Sequence, residues 1–548
     1  MESKQTSNQD RGQGASPNKL KRTRGSLNGV VSTLVPSEIH GLRCAFRDAL
    51  PFPHIQLNHP FDPELISSVR DDLIAWEGKG CGWVERNNDL YSFKQSDALA
   101  NVGEDSPSLR RLTTYLYSSE FRSLVEGITG VQDLADTIDA SAASYRSGDY
   151  LLCHDDDLLT RRVAFILYLT PENWEASDGG KLELFSVDPT THAPSRISAS
   201  ISPRYGSMVL FEVTPASFHA VGEVLDDSKG HRLSISGWFH GKNRLPRPPL
   251  EFHSSNGGVV AFLPPLPTPS GFGKAHPLYT LATPSLPFPL LPLLPSSSHA
   301  LEGWVNPLYL KKATAAAVGK RLREEGGALL LPSFLTHDAF SLVARALGTA
   351  PWRHVGPPVL QSYRTLGAVM GGYNTCPVET LLNIFCSESF RELLSNFVKP
   401  VVLGDVAGKV RAFTQGDYTI ITDPEYLAKG AAKKASRAGL LAKGGSGGGG
   451  KVTWSKPEGS LGGGEDEGRT MRTLEANFYA VLSQAGEWDE TWGGVTTYLT
   501  ADTVRESVSP QTNSLCLVLR EPELLSFVKH VSSRCPEPIY DFNMQYRI

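Results

Sequence analysis

Three residues of the chain have the types and spacing of a metal site. His154 and Asp156 directly follow the strand-like run SYRSGDYLLC, and His219 directly follows the run SMVLFEV and a short turn. Side chains alternate along a strand, so a His-x-Asp pair can point into one site near a strand end. Two imidazoles and one carboxylate on one face of a metal form the facial triad of non-haem Fe(II) oxygenases. We therefore take His154, Asp156 and His219 as candidate metal ligands and catalytic residues.

A second pattern lies in the run RLSISGW. Arg232 and Ser234 share one face of this predicted strand, while Leu233 shares the other face with the next apolar residue. An arginine that points into a β-barrel needs an anionic partner, because an unpaired buried charge is costly. The far carboxylate of 2-oxoglutarate would supply that partner through two hydrogen bonds. Tyr145 and Tyr168, on two other predicted strands, are candidate hydroxyl donors to the same pocket.

Less specific interpretations remain open for these residues. His154 and Asp156 also fit a solvated turn, His219 fits a core histidine, and Arg232 fits a surface pair with Asp226 or its neighbour. Two histidines and one carboxylate also suit a catalytic zinc, although a zinc hydrolase gives the Arg-x-Ser strand no role. The ordered set favours the keto-acid site.

The surrounding pattern predicts helices followed by antiparallel strands. Residues 62–77 and 108–127 show apolar residues at helical spacing. Five strand-like runs follow, separated by Gly, Pro, Asp or Asn. This predicts a first globular domain at residues 36–245, with a mainly β structure and flanking helices. Residues 246–304 are rich in proline, which predicts a linker with polyproline II character.

The second half of the chain repeats the first. Four short matches occur in the same order, and the distance between partners increases by 46 residues at a low-complexity Gly/Lys/Ser stretch at about 428–470. The matches are Phe121-Arg122 with Phe390-Arg391, Gly148-Asp149-Tyr150 with Gly416-Asp417-Tyr418, Trp174 with Trp488, and Ser217-Phe218-His219 with Ser526-Phe527 and His530. We therefore predict a second, homologous domain at 305–548 that carries a disordered insert.

The second copy lacks the metal set. Aligned on Gly-Asp-Tyr, His154 and Asp156 fall on Thr422 and Pro424. His530 remains as the expected counterpart of His219, and no arginine takes the inward position of Arg232. The second domain is therefore predicted to be degenerate and non-catalytic.

Composition limits the remaining classes. A net charge of -5 argues against direct nucleic-acid binding, and proline interrupts every long apolar run, so no membrane span is predicted. Seven cysteines without a C-x-x-C pair indicate reduced thiols. Residues 1–35 form a predicted disordered tail with a basic cluster that resembles a nuclear import signal. We expect the protein in the nucleus and the cytoplasm.

The motifs resemble one family. LLCHDDDLLTRRVAFILYL, DGGKLELF and RLSISGWFHG in the first half, with WVNPLYL and WGGVTTYL in the second, resemble the eukaryotic ribosomal prolyl hydroxylases. The resemblance implies an α+β, mainly β fold of two tandem double-stranded β-helix (jelly-roll) domains with flanking helices. It implies Fe(II) bound by His154, Asp156 and His219, and 2-oxoglutarate held by Arg232 with Tyr145, Tyr168 and Ser234, with O2 as co-substrate and ascorbate as a supporting reductant.

The same resemblance implies a substrate. Family members hydroxylate a proline in the small-subunit ribosomal protein of the decoding centre, as 3-hydroxylases or as 3,4-dihydroxylases. They are linked to translation termination and, in fungi, to oxygen-dependent control of a transcription factor. Two alternatives stay open at this point: a protein whose main role is to dock partners, and an oxygenase that acts on lysyl residues or nucleic-acid bases.

Overall fold

The computed structural model describes residues 36–157, 160–242, 252–253, 259–261, 290–291, 294, 301–324, 327–366, 376–421, 472–482, 488–500, 503–521 and 524–548. The predicted tail at 1–35, most of the proline-rich segment and the predicted Gly-rich insert lie outside the described residues. Among those residues, no helix combines the length and apolar character needed to span a membrane.

The described residues of the first domain form four α-helices and eleven strands. These are α1 (Pro36–Asp48), β1 (His54–Leu57), α2 (Pro63–Gly78), β2 (Trp83–Asn87), β3 (Tyr91–Ala98), α3 (Pro107–Leu116), α4 (Ser119–Thr129), β4 (Leu134–Tyr145), β5 (Tyr150–His154), β6 (Arg161–Tyr168), β7 (Leu182–Val187), β8 (Pro194–Ile201), β9 (Met208–Glu212), β10 (His219–Val221) and β11 (Arg232–Gly241). All strand pairs are antiparallel, in the order β1-β9-β6-β11-β4-β3-β5-β10-β7-β8, and β2 pairs with β3.

Alternating side chains make this sheet two-faced. On β6, Phe165 and Leu167 pack against the helices, in a cluster with Phe121 of α4. Ala164 and Ile166 point the other way and pack, in one cluster, with residues of β7 and β8 on the opposite wall. The sheet is thus curled so that β5, β10 and β7 face β9, β6 and β11. This is the double-stranded β-helix, and its mainly β character confirms the predicted fold class.

Three short strands lie between the domains: β12 (Phe252–His253), β13 (Val259–Ala261) and β14 (Leu290–Leu291). All fall within the segment 246–304 that the sequence analysis predicts as a linker. β14 pairs with a strand of the second domain, and Leu294 N donates to Cys386 O. Leucines 290, 291 and 294 keep the backbone N–H groups that the neighbouring prolines lack, so they can join a sheet. These three residues of the predicted linker therefore pair with the second domain.

The second domain repeats the architecture. Its elements are α5 (Lys312–Glu324), β15 (Ala328–Leu331), α6 (His337–Leu347), β16 (Trp352–Val355), β17 (Gln361–Leu366), α7 (Pro377–Phe385), α8 (Glu388–Val398), β18 (Val406–Phe413), β19 (Tyr418–Thr419), β20 (Thr473–Val481), β21 (Thr496–Leu499), β22 (Val504–Val508), β23 (Ser514–Arg520), β24 (Leu525–Val528) and β25 (Ile539–Arg547). The main sheet runs β15-β23-β20-β25-β18-β17-β16, and β22-β21-β24 form the second wall.

Matching hydrogen bonds relate the two halves. The side chain of Ser118 caps α4 by accepting from Phe121 N, and Ser387 caps α8 by accepting from Phe390 N. Gly148 N donates to Val224 O at 2.8 Å, and Gly416 N donates to Val531 O at the same distance. The indole of Trp174 bonds Gly179 O, and that of Trp488 bonds Gly493 O. The internal repeat inferred from the sequence is present at these positions.

Candidate metal and co-substrate site

A β-bulge aims His154 into the barrel. In the pairing of β10 with β5, His219 lies opposite His154, but Val221 lies opposite Leu151. Two steps along β10 therefore match three along β5, so β5 contains one extra residue. The extra residue places His154 on the same side as Leu151, which packs with Val221. Both histidines consequently face the interior between the two walls.

The three candidate ligands come together in one buried cluster. One ligand atom from each of His154, Asp156 and His219 lies within 4.8 Å of the others, and all three residues are buried. The Asp156 oxygens lie 3.7 Å from His154 Nε2 and 3.3 Å from His219 Nε2. These short mutual distances are those of side chains that can share one ion. The solvated-turn alternative for His154 and Asp156 is wrong.

Backbone carbonyls fix both imidazoles. His154 Nδ1 lies 2.7 Å from Leu152 O, and His219 Nδ1 lies 2.8 Å from Ser217 O. A carbonyl oxygen only accepts, so each Nδ1 carries the proton and each Nε2 keeps a free lone pair towards the cluster. Metal-binding histidines are commonly oriented in this way. The donor set therefore fits a divalent transition metal.

Electrostatics keep the cluster in its ligand form. Burial, and next the neighbouring His219, lowers the pKa of His154 to about 4, so its imidazole is neutral at neutral pH. For Asp156 burial acts to raise the pKa. The favourable interactions with His219, His154 and the charged Arg161 outweigh burial, and the pKa of Asp156 lies below the ordinary value. The carboxylate therefore stays ionised.

Two residues support Asp156. Trp238 Nε1 donates to Asp156 Oδ2 at 3.0 Å, and Arg161 Nη1 donates to Asp156 Oδ1 at 3.3 Å. The guanidinium carbon of Arg161 lies 3.4 Å from the centroid of the Trp238 ring, as in a cation–π pair. Neither residue was assigned a chemical role from the sequence. A signal did exist for Trp238, because it follows Arg232 and Ser234 on the same face of β11.

Arg232 is buried in the interior of the same domain, and part of its guanidinium is unpaired. The residue is 1% exposed, and its Nε donates to Gly180 O at 2.6 Å. Arg232 Nη2 has no hydrogen-bond partner, and no carboxylate in the described part of the chain forms an ion pair with this residue. The alternative of a surface pair with Asp226 or Asp227 is therefore wrong. A buried cation without a counter-charge indicates the binding position of an anion.

The tyrosines surround this guanidinium. Its central carbon lies 4.9 Å from the ring centroid of Tyr145 and 5.2 Å from that of Tyr168. Tyr145 is the cross-strand neighbour of Arg232, and Tyr168 is the neighbour of Ser234. The Tyr168 hydroxyl is buried without a partner. Burial raises the pKa of both tyrosines, so each keeps its proton as a donor. The pocket thus offers unpaired donors for a carboxylate.

A glycine makes room for the arginine. Gly180 has φ +65°, and a Cβ at this position would lie 2.5 Å from Arg232 Cδ. Any other residue would collide with the Arg232 side chain and would be strained in the left-handed region. The same position in the second domain is Gly494, where a Cβ would meet Ile539 at 2.2 Å. Ile539 therefore occupies the position that corresponds to Arg232. As expected, this inward position of the second domain does not hold an arginine.

The prediction that His530 is the counterpart of His219 is wrong. A Cβ on Gly179 would collide with Glu223 O, and a Cβ on Gly493 would collide with His530 O. His530 therefore corresponds to Glu223. The counterpart of His219, which pairs with Leu184, is Ser526, which pairs with Tyr498. The shared Ser-Phe letters misled the alignment, because strand pairing sets the register of β24. Thr422 and Pro424 lie outside the described residues.

Large polar groups fill the second barrel. Arg411 binds both carboxylate oxygens of Asp541, and Asn477 Nδ2 also donates to Asp541. Strand pairing places Arg411 and Asp541 at the positions of Ala143 and Ser234 in the first barrel. Small side chains thus leave space in the first barrel where an ion pair occupies the second.

Comparisons with known proteins agree with this geometry. Residues 140–240 match the model of the 2OG-Fe(II) oxygenase superfamily. Residues 296–548 match the family described as oxoglutarate and iron-dependent oxygenase degradation C-term. The co-substrates and cofactor of the first family are 2-oxoglutarate, O2 and Fe(II), and the buried His-Asp-His cluster fits that metal.

Curated relatives cover most of the chain. Prolyl 3-hydroxylase OGFOD1 of Xenopus laevis is 32% identical over 89% of this chain and 84% of its own length. The Mus musculus protein of that name is 31% identical over 89% and 86%, respectively. Prolyl 3,4-dihydroxylase OGFOD1 of Ostreococcus tauri is 30% identical over 68% and 75%. The chain belongs to the OGFOD1 family of 2-oxoglutarate- and Fe(II)-dependent prolyl hydroxylases.

Proposed function

We propose that this chain hydroxylates a prolyl residue of the small-subunit ribosomal protein that lines the decoding centre. The observation that carries the proposal is that one domain buries both the His154–Asp156–His219 cluster and the partly unpaired guanidinium of Arg232. The names of the curated relatives supply the prolyl specificity. The ribosomal substrate, and the link to translation termination or to a transcription factor in fungi, rest on the family resemblance.

In this proposal each site residue has one role. His154, Asp156 and His219 hold Fe(II), and Arg232 binds the far carboxylate of 2-oxoglutarate. Tyr145, Tyr168 and Ser234 line the pocket around that carboxylate. With Fe(II) held by these residues, the site would supply oxidative decarboxylation of 2-oxoglutarate coupled to insertion of one O2 oxygen into a prolyl C–H bond.

The protein contributes orientation and exclusion of water. Leu152 O and Ser217 O keep both Nε2 lone pairs directed at the metal position. Arg161 and Trp238 hold the two oxygens of Asp156. Burial of the cluster strengthens each of these charged contacts, because the local dielectric constant is low. The unpaired Arg232 favours this chemistry over zinc hydrolysis, which leaves a buried cation without a counter-charge.

The direct test uses a peptide. The full chain is incubated with Fe(II), 2-oxoglutarate, ascorbate and a proline-bearing peptide from the decoding-centre protein, and the product is measured by mass spectrometry. One added oxygen indicates monohydroxylation and two indicate dihydroxylation. His154→Ala should abolish the gain, and His337→Ala, at an exposed histidine, should not. A folded, metal-loaded chain that adds no oxygen to this peptide contradicts the proposal.

We further propose that the second domain is non-catalytic. Support comes from Ser526 and Ile539 at the positions of His219 and Arg232, and from the ion pair that fills its interior. A docking role for this domain is compatible with catalysis in the first domain. Binding of the intact ribosomal protein that survives His154→Ala would support docking.

A nuclear as well as a cytoplasmic location is also proposed. It rests on the basic cluster of the tail, with Lys19, Lys21, Arg22 and Arg24, which lies outside the described residues. A fluorescent fusion should lose its nuclear fraction when these four residues become alanine. An unchanged distribution contradicts the import signal.

A further inference from the structure

The outer surface of β5 is covered by the second domain. Tyr150 and Leu152 of β5 share one apolar cluster with Tyr418 of β19. The ring of Tyr150 also lies 4.3 Å, centroid to centroid, from that of His530. The strand that ends in His154 is therefore packed on one side by its own barrel and on the other side by the other domain.

The residues that directly precede His154 and His219 also pack in a cluster with residues of the second domain. Cys153 precedes His154 and Phe218 precedes His219, and both are fully buried. They share one apolar cluster with Val359 and Leu360 of the second domain, which are 3% and 7% exposed. The apolar cluster behind both histidine positions therefore includes two residues of the second domain.

Backbone contacts fix this pair in place. Leu360 O accepts from Ile420 N at 3.0 Å, and the next amide, Ile421 N, donates to Asp89 Oδ2 of the first domain at 2.9 Å. A second hydrogen bond joins the two domains: Ser533 N donates to Glu223 Oε2 at 2.8 Å. The domain contact is thus polar at its margins and apolar behind the metal cluster.

The bulge explains why this contact matters. A bulged residue is not paired in the sheet, so packing rather than ladder hydrogen bonds decides where it points. A slip of one residue would turn His154 to the opposite face of the strand. The apolar cover therefore acts on the one element whose register decides whether His154 faces His219.

We propose that Val359 and Leu360 of the second domain are positioning residues for the metal site, because they hold the bulged strand so that His154 and His219 face one ion. The proposal rests on the metal assignment made above. It gives the non-catalytic domain a role in the chemistry of the first domain that is separate from substrate docking.

The test measures metal affinity without turnover. Mn(II) binding to the full chain is followed by electron paramagnetic resonance, with no 2-oxoglutarate or peptide present. The variants are Leu360→Ala, the smaller truncation Val359→Ala, and the volume-conserving Leu360→Met. The matched control is Leu393→Ala in α8, whose leucine is also 7% exposed but packs only within the second domain.

We expect Leu360→Ala to weaken Mn(II) binding about tenfold, as loss of an outer support to a metal ligand commonly does. Val359→Ala should give a smaller loss, and Leu360→Met should stay near wild type. Leu393→Ala should leave the Mn(II) affinity unchanged, even if it lowers the thermal unfolding midpoint as much as Leu360→Ala does. In hydrogen exchange of the metal-free chain, residues 150–154 should exchange faster in Leu360→Ala than in Leu393→Ala.

Two results overturn the positioning role while leaving the metal assignment intact. One is an equal Mn(II) affinity in all variants and wild type. The other is an equal loss in Leu360→Ala and Leu393→Ala, which indicates general destabilisation. If Leu360→Ala does not fold, the proposal is tested by the Mn(II) affinity of Val359→Ala and by the hydrogen exchange of residues 150–154 in that variant. If the wild-type chain binds no Mn(II), the metal assignment fails, and the positioning role fails with it.

Discussion

Ser526 in the second barrel occupies the backbone position that His219 occupies in the first. His219 pairs with Leu184 of β7, and Ser526 pairs with Tyr498 of β21, at matching points of the two walls. A serine hydroxyl replaces the imidazole, and Ile539 replaces the guanidinium of Arg232. The repeat therefore preserves the backbone and removes both the metal donor and the anion partner.

This relationship predicts one metal per chain. Mn(II) titration of the full protein should give a stoichiometry of about one, and His219→Ala should reduce it to near zero, because the described residues of the second barrel offer no replacement set. Ser526→Ala serves as the matched control and should bind like wild type. A second equivalent of tightly bound Mn(II) that persists in His219→Ala would contradict the non-catalytic assignment of the second domain.

Arg232 is predicted to control affinity for 2-oxoglutarate rather than for the metal. Removing one partner of a buried charge pair costs about 2–5 kcal/mol, so Arg232→Ala should weaken 2-oxoglutarate binding about thirtyfold or more. Arg232→Lys should fall between, because lysine lacks the planar two-point donor. Calorimetric titration of the Mn(II)-loaded chain with 2-oxoglutarate measures the dissociation constant of each variant. Arg196→Ala, at an exposed arginine of β8, is the control. Equal affinity in Arg232→Ala and wild type would remove the anion role.

Trp238 is predicted to tune the metal site through Asp156. Trp238→Phe keeps the ring but deletes the 3.0 Å hydrogen bond to Asp156 Oδ2 and weakens the contact with Arg161. Metal affinity should fall about tenfold, within the range seen when such supporting partners are lost. The control is Trp488→Phe, which deletes a 3.0 Å hydrogen bond to Gly493 O in the second domain. The interpretation fails if both variants bind Mn(II) equally well.

The sequence was sufficient for the site residues that strand alternation controls. The Arg-x-Ser pair points inward by the period of a strand, whereas the bulge turns His154 inward and Asp156 follows the end of β5. Residue type and spacing singled out His154, Asp156 and His219, which the structure brings together. The role of Arg161 was missed because it depends on two contacts, with Trp238 and Asp156, that only the folded sheet creates.

Features that depend on pairing between distant strands were not predictable. The bulge in β5 exists only relative to β10, so no pattern within residues 150–154 reveals it. The same holds for His530, whose alignment with His219 followed letters instead of register. The pairing of Leu290–Leu291 with β18 was hidden because the flanking prolines indicate a linker.

His530 is predicted to make stability depend on pH. Burial, and then the charge of Lys529, lowers its pKa to about 4, whereas an unfolded histidine titrates near 6.5. Between these pH values the unfolded chain binds a proton that the folded chain does not. Its contribution to stability is therefore complete above about pH 6.5 and is lost by about 1.4 kcal/mol per pH unit as the pH falls towards 4. The fall in unfolding midpoint from pH 7 to pH 5 should be smaller in His530→Phe than in wild type. His337→Gln, at an exposed histidine, should keep the wild-type dependence. An identical fall in all three proteins would show that His530 takes up its proton without cost to the folded state.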